Sequence, residues 1–145
     1  MKTRHLHDVW VSPDNSRLTP KQFSFRLPVH IAAKIAALCE IYPQKNRTQI
    51  VADLLTAALD DLEKNLPIGL GSGISKEAER HERMVSEHLN EVYEPLFEIG
   101  GTRGRFRYEA NRQYAKLEKE LGNDNPEPIY PTEYITERQL KESQS

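Results

Sequence analysis

Six residues constrain this chain more than any others. Gln22-Phe23-Ser24-Phe25-Arg26-Leu27 alternates polar and apolar side chains without a break, and Pro28 ends the run. Period-two alternation marks a half-buried strand. Phe23, Phe25 and Leu27 then share one face, and Gln22, Ser24 and Arg26 the other. A single strand leaves its backbone N–H and C=O groups without partners. The apolar face and the backbone both require something to pair with.

Two amphipathic helices are predicted next. Pro28 suits the first helical position, where its missing N–H costs nothing. Ile31, Ile35, Leu38 and Tyr42 then recur at helical spacing up to Pro43, which forces an end. The second helix opens at Asn46-Arg47-Thr48-Gln49, where asparagine can act as N-cap and Gln49 can complete a capping box. Its apolar stripe is broad: Ile50, Val51, Leu54, Leu55, Ala58, Leu59 and Leu62. A segment of ~45 residues cannot bury a sufficient core alone. Two copies can, if their strands pair as an antiparallel ribbon and their helices interdigitate. The expected shared core is Phe23, Phe25, Leu27, Ile31, Ile35, Leu38, Ile50, Val51, Leu54, Leu55 and Leu59.

Such a ribbon presents Gln22, Ser24 and Arg26 twice, about a two-fold axis. A two-stranded ribbon fits the major groove, where arginine pairs with guanine and glutamine with adenine. The start of the second helix offers unsatisfied N–H groups and a positive dipole end to a phosphate, with Lys45, Asn46, Arg47 and Thr48 alongside. Base readers and phosphate anchors divide the work.

These residues resemble the ribbon-helix-helix (Arc/MetJ-type) DNA-binding family over about residues 21–63. The carriers are Gln22-Phe23-Ser24-Phe25-Arg26-Leu27-Pro28 and Asn46-Arg47-Thr48-Gln49-Ile50-Val51. The resemblance implies an obligate dimer, reading of bases by Gln22, Ser24 and Arg26, and phosphate contact at Asn46, Arg47 and Thr48. The family's inter-helix turn commonly carries glycine, whereas Tyr42-Pro43-Gln44-Lys45 stands here.

Outside this module the expectations are coarser. Residues 1–20 read as a flexible arm anchored by Trp10, with Val9-Trp10-Val11 as a possible short strand before the turn-rich Ser12-Pro13-Asp14-Asn15-Ser16. Residues 21–66 form the module, and the glycine-rich stretch 67–75 reads as a linker. Residues 76–122 read as a helical extension. Its first helix, from about Lys76 to Glu94, carries a heptad-like stripe through Val85, Leu89, Val92 and Leu96, and Pro95 kinks or ends it. Gly100–Gly104 breaks the chain, and a second segment follows through Phe106, Ala110, Tyr114, Leu117 and Leu121. The Asn/Asp/Pro/Glu-rich residues 123–145 read as a poorly ordered tail, with a short helix near Thr136–Ser143. The fold class is thus mainly α: a ribbon-helix-helix dimer plus a helical C-terminal extension.

Charge distribution supports this division. Residues 1–28 hold five basic and two acidic side chains, and residues 67–145 hold 11 basic and 15 acidic ones, on a chain of net charge −2. A basic front end on an acidic protein confines nucleic-acid contact to one region. The interleaved Arg103-Gly104-Arg105-Phe106-Arg107-Tyr108 offers extra basic contacts, although packing of its aromatics in an amphipathic helix is the plainer reading. One cysteine, Cys39, excludes an intrachain disulfide and reads as a small core residue. His5, His7, His81 and His88 lack the company of a metal site. Gly69–Gly73 lacks the strand and lysine of a nucleotide loop. No cofactor, metal or catalytic residue is expected, and no apolar run of membrane-spanning length exists. A cytoplasmic DNA-binding repressor follows, acting by operator occlusion as a dimer or dimer of dimers. Alternatives are an antitoxin whose C-terminal half binds a toxin, a plasmid partition or conjugation accessory protein, and a structural helical dimerisation protein without DNA binding. A protein partner would use residues 76–122.

Overall fold

Leu6 and Trp10 lie four residues apart, the spacing that places two side chains on one helix face. In the computed structural model, which describes residues 2–11 and 21–144, both are buried. A 3₁₀ turn at Thr3–His5 leads into α1, Leu6–Trp10. The chain then divides into two compact units, Met1–Asn65 and Leu66–Ser145. It is mainly helical, with one small antiparallel sheet.

The first unit holds α1, α2 (Val29–Ile41) and α3 (Arg47–Asn65). Its core is Leu6, Trp10, Ile50 and Ala57, flanked by Val9, Leu38, Cys39, Tyr42 and Leu54. Trp10 Nε1 donates a 2.8 Å hydrogen bond to the buried Asp53 carboxylate. Its ring meets Tyr42 edge-on at 5.1 Å, and the Tyr42 hydroxyl is hydrogen-bonded to His7 Nδ1 at 2.7 Å. The N-terminal arm is therefore corrected: Val9 and Trp10 are helical rather than extended, and Trp10 belongs to the core. The Ser12–Ser16 turn lies outside the described residues.

Pro28 serves as the N-cap of α2, one position earlier than expected. Asn46 and Gln49 form the reciprocal capping box. The Gln49 amide donates to Asn46 Oδ1 at 2.8 Å, and the Asn46 amide to Gln49 Oε1 at 3.0 Å. The strand expected at Gln22–Leu27 pairs with no described segment of its own chain, and these residues take no regular secondary structure and are exposed.

The second unit corrects three expectations. The linker contains a strand, β1 (Gly69–Gly73), paired antiparallel with β2 (Phe97–Gly100), which pairs with β3 (Tyr134–Ile135) in the order β1-β2-β3. Glycines read as a linker because they carry no side chains to show a period. Here their small size lets backbones approach. The helix α4 (Lys76–His88) stops well before Pro95. Asn90 takes the left-handed conformation (φ 55), and the Glu91 amide bonds back to the Ser86 carbonyl at 2.8 Å, a helix-ending motif for which asparagine is suited. Val92 and Leu96 thus lie outside the helix. The expected break at Gly100–Gly104 is instead the opening of α5 (Gly101–Glu120), where Gly101 supplies a φ of +67.

The expected disorder of 123–145 is likewise corrected. Asn111 clamps Tyr130 in both directions, its Nδ2 donating to the Tyr130 carbonyl at 3.0 Å and its Oδ1 accepting the Tyr130 amide at 2.9 Å. Ile135 is buried in β3, and Thr136 starts α6 (Glu137–Ser143) with a complete capping box. This α6 is the short helix expected there.

Candidate nucleic-acid interface

The polar side chains proposed to read bases, Gln22, Ser24 and Arg26, are all exposed. So are their apolar neighbours: Phe23 is 62% accessible, Phe25 75% and Leu27 49%. Large apolar side chains at that exposure, on a segment without a ladder, are covered by no described residue of the same chain.

The helices continue this open surface. No residue of α2 is buried, and Val29 and Ile41 project into solvent. On α3 two faces separate. Ile50, Asp53 and Ala57 point to α1, while Leu55, Leu59 and Leu62 form an exposed stripe. The expected shared core is therefore divided. Ile50 is fully buried, and Leu38 and Leu54 are half-buried, against α1 of the same chain; these three belong to the chain's own core. Ile31, Ile35 and Val51 are half-buried, and Phe23, Phe25, Leu27, Leu55 and Leu59 remain uncovered. Reading the broad stripe of α3 as one surface missed that α1 takes part of it. The Leu6–Trp10 spacing was the available signal.

At the start of α3, the capping box uses the amides of Asn46 and Gln49 and leaves those of Arg47 and Thr48 without an intrahelical acceptor. Asn46, Arg47 and Thr48 are exposed. Lys45 is corrected: only 5% of it is accessible, so its side chain does not stand beside the other three as a surface cation.

The basic stretch of α5 does not form one patch. Arg107 pairs with Glu133 at 2.8 Å and lies 5.3 Å from the Tyr130 ring centre, and Phe106 packs on Tyr130 at 5.9 Å. Arg103 is half-buried, and its amide donates to the Pro67 carbonyl. Arg105 alone of the three arginines is exposed. It borders a shallow depression of about 370 Å³ that is also lined by Gly71, Gly100, Gly101 and Gly104. The packed-helix reading holds for Phe106, whereas Tyr108 is exposed and Arg107 turns to Glu133.

Among the described residues no group of His, Cys, Asp and Glu is arranged to hold a metal ion, and no helix is long and apolar enough to cross a membrane. Comparison of the chain with protein-family models, with curated proteins and with solved structures finds no match.

Proposed function

We propose that the N-terminal unit is a sequence-specific DNA-binding module that works as a homodimer, with transcriptional repression by operator occlusion as its outcome. The observation that carries this reading is the exposed segment Gln22–Leu27, whose apolar and polar side chains alternate in sequence and which pairs with no described strand of its own chain. Pairing it with the same segment of a second chain satisfies its backbone groups and covers Phe23, Phe25 and Leu27 together with Leu55 and Leu59. Fully burying side chains of this size contributes ~1.5–3 kcal/mol each. The opposite face then sets two copies of Gln22, Ser24 and Arg26 toward a major groove. The open amides of Arg47 and Thr48 at the start of α3 favour phosphate oxygens on either side.

The deciding experiment sequences genomic DNA fragments retained by the purified chain and weighs the chain in solution. The expected results are enrichment of a two-fold symmetric motif and a mass twice 16.7 kDa. Random recovery of fragments removes the DNA reading, and a monomer removes the ribbon.

A further inference from the structure

Helix α4 is attached to its unit by the side that an amphipathic helix normally gives to water. Glu79 and Ser86 are half-buried, and Arg83 pairs with Glu79 at 2.9 Å while its guanidinium lies 4.5 Å from the Tyr93 ring centre. Burial of the Tyr93 phenol raises its pKa above the ordinary value, and the Glu79 carboxylate adds to this. The apolar stripe faces outward: Ala78 is exposed, Val85 is 40% accessible and Leu89 56%. A helix of 13 residues is marginal in water without a packed apolar face.

The charges around this stripe identify what fits it. At 3.6 residues per turn, Glu77 and Glu82 flank Ala78, Val85 and Leu89, with His81 and His88 between. Lys76, Arg80 and Arg83 fall on the opposite side of the helix. An apolar seam bordered by carboxylates suits a partner whose own seam is bordered by cations. A second copy of α4 would set Glu77 and Glu82 against carboxylates of its own kind, which disfavours self-pairing.

We propose that the face formed by Ala78 and Val85 of α4 and by Leu89 at its C-cap docks a cationic amphipathic helix of another protein, which sets aliphatic side chains on the stripe and lysines or arginines against Glu77 and Glu82. This inference is independent of the DNA-binding reading of the N-terminal unit. The partner's acidic complement is supplied by a unit whose residues 67–145 carry 15 acidic against 11 basic side chains.

The test titrates the full chain with synthetic helices of about 18 residues, long enough to sustain helicity. One carries a leucine stripe flanked by lysines, one the same stripe flanked by glutamates, and one the lysine composition scrambled. The lysine-flanked helix is expected to bind, and the other two to bind more weakly by on the order of tenfold. Val85→Ser and Leu89→Ser, at exposed positions, should each weaken it by on the order of tenfold while leaving the circular dichroism spectrum unchanged. Glu77→Lys combined with Glu82→Lys should invert the preference toward the glutamate-flanked helix. Absence of binding, equal binding of the scrambled peptide, or indifference to both serine substitutions overturns the proposal. A fall in solution mass on Val85→Ser also overturns it, because the face would then belong to a second copy.

Discussion

Trp10 and Asp53 are 43 positions apart and meet in a single buried hydrogen bond. A buried carboxylate needs donors, because desolvation without a partner costs more than the bond itself contributes. Trp10→Phe keeps most of the ring's packing and removes that donor. It should lower stability by ~1–3 kcal/mol, read as a reduced midpoint in urea followed by circular dichroism. An unchanged midpoint would mean that water replaces the indole and that α1 is not fixed by this bond. The two arginines of the candidate interface should differ in kind. Arg26→Ala is expected to cost ~1–3 kcal/mol per site and to relax sequence preference, whereas Arg47→Ala weakens all sequences alike. Titrations against several sites over a range of salt concentrations separate the two. If Arg26→Ala leaves both affinity and preference intact, the ribbon does not read bases.

Elements differ in how plainly their residues announce them. Helices α2 and α3 were legible because long apolar periods and the Asn46–Gln49 cap agree with one another. β1 was not, since a Gly-Leu-Gly-Ser-Gly strand has almost no side chains from which a period could be read. The end of α4 was hidden for another reason: the Val85, Leu89, Val92 period runs on past Asn90, and one left-handed residue overrides it. The tail looked disordered by composition, yet one hydrogen bond donated by Asn111 and one accepted by it fix Tyr130. Long-range contacts of this sort leave no local trace. Of the candidate interface, the structure shows that Gln22, Ser24 and Arg26 are exposed, as a contact surface requires. Which aliphatics of α3 stay open depended on where α1 lies, and that no periodicity reveals. Close packing of α5 on β2 gives a test at this scale. A Cβ at Gly104 would collide with the backbone carbonyl of Ile99, whereas one at Gly73 would meet nothing within 4 Å. Gly104→Ala should therefore destabilise the second unit by ~1–3 kcal/mol, the usual cost of overpacking. Gly73→Ala should leave its melting temperature nearly unchanged. Equal effects would show that α5 can move off the sheet without penalty.

At the scale of the molecule, the two units carry surfaces of different character. The first exposes aliphatic and aromatic side chains beside exposed arginines, Arg26 and Arg47, and the second is acidic by count. The core of the first unit, Leu6, Trp10, Ile50 and Ala57, is drawn from its own residues, and Ile135 is buried in the sheet of the second. A self-contained core predicts separable functions. A fragment of residues 1–66 retains α1, the Gln22–Leu27 segment and both long helices, so every group assigned to dimerisation and DNA contact is present. It should therefore dimerise and bind the enriched DNA with the affinity of the full chain, within a factor of about three, since contacts far from an interface contribute little. The same fragment should fail to bind the lysine-flanked helix, because α4 is missing. Solution mass, DNA titration and peptide titration on the fragment and the full chain make the comparison. If the fragment unfolds, the units depend on each other for stability and the assignment of one surface to each is wrong. If it folds but loses DNA affinity, the exposed Arg105 of the second unit becomes the first place to look for the missing contact.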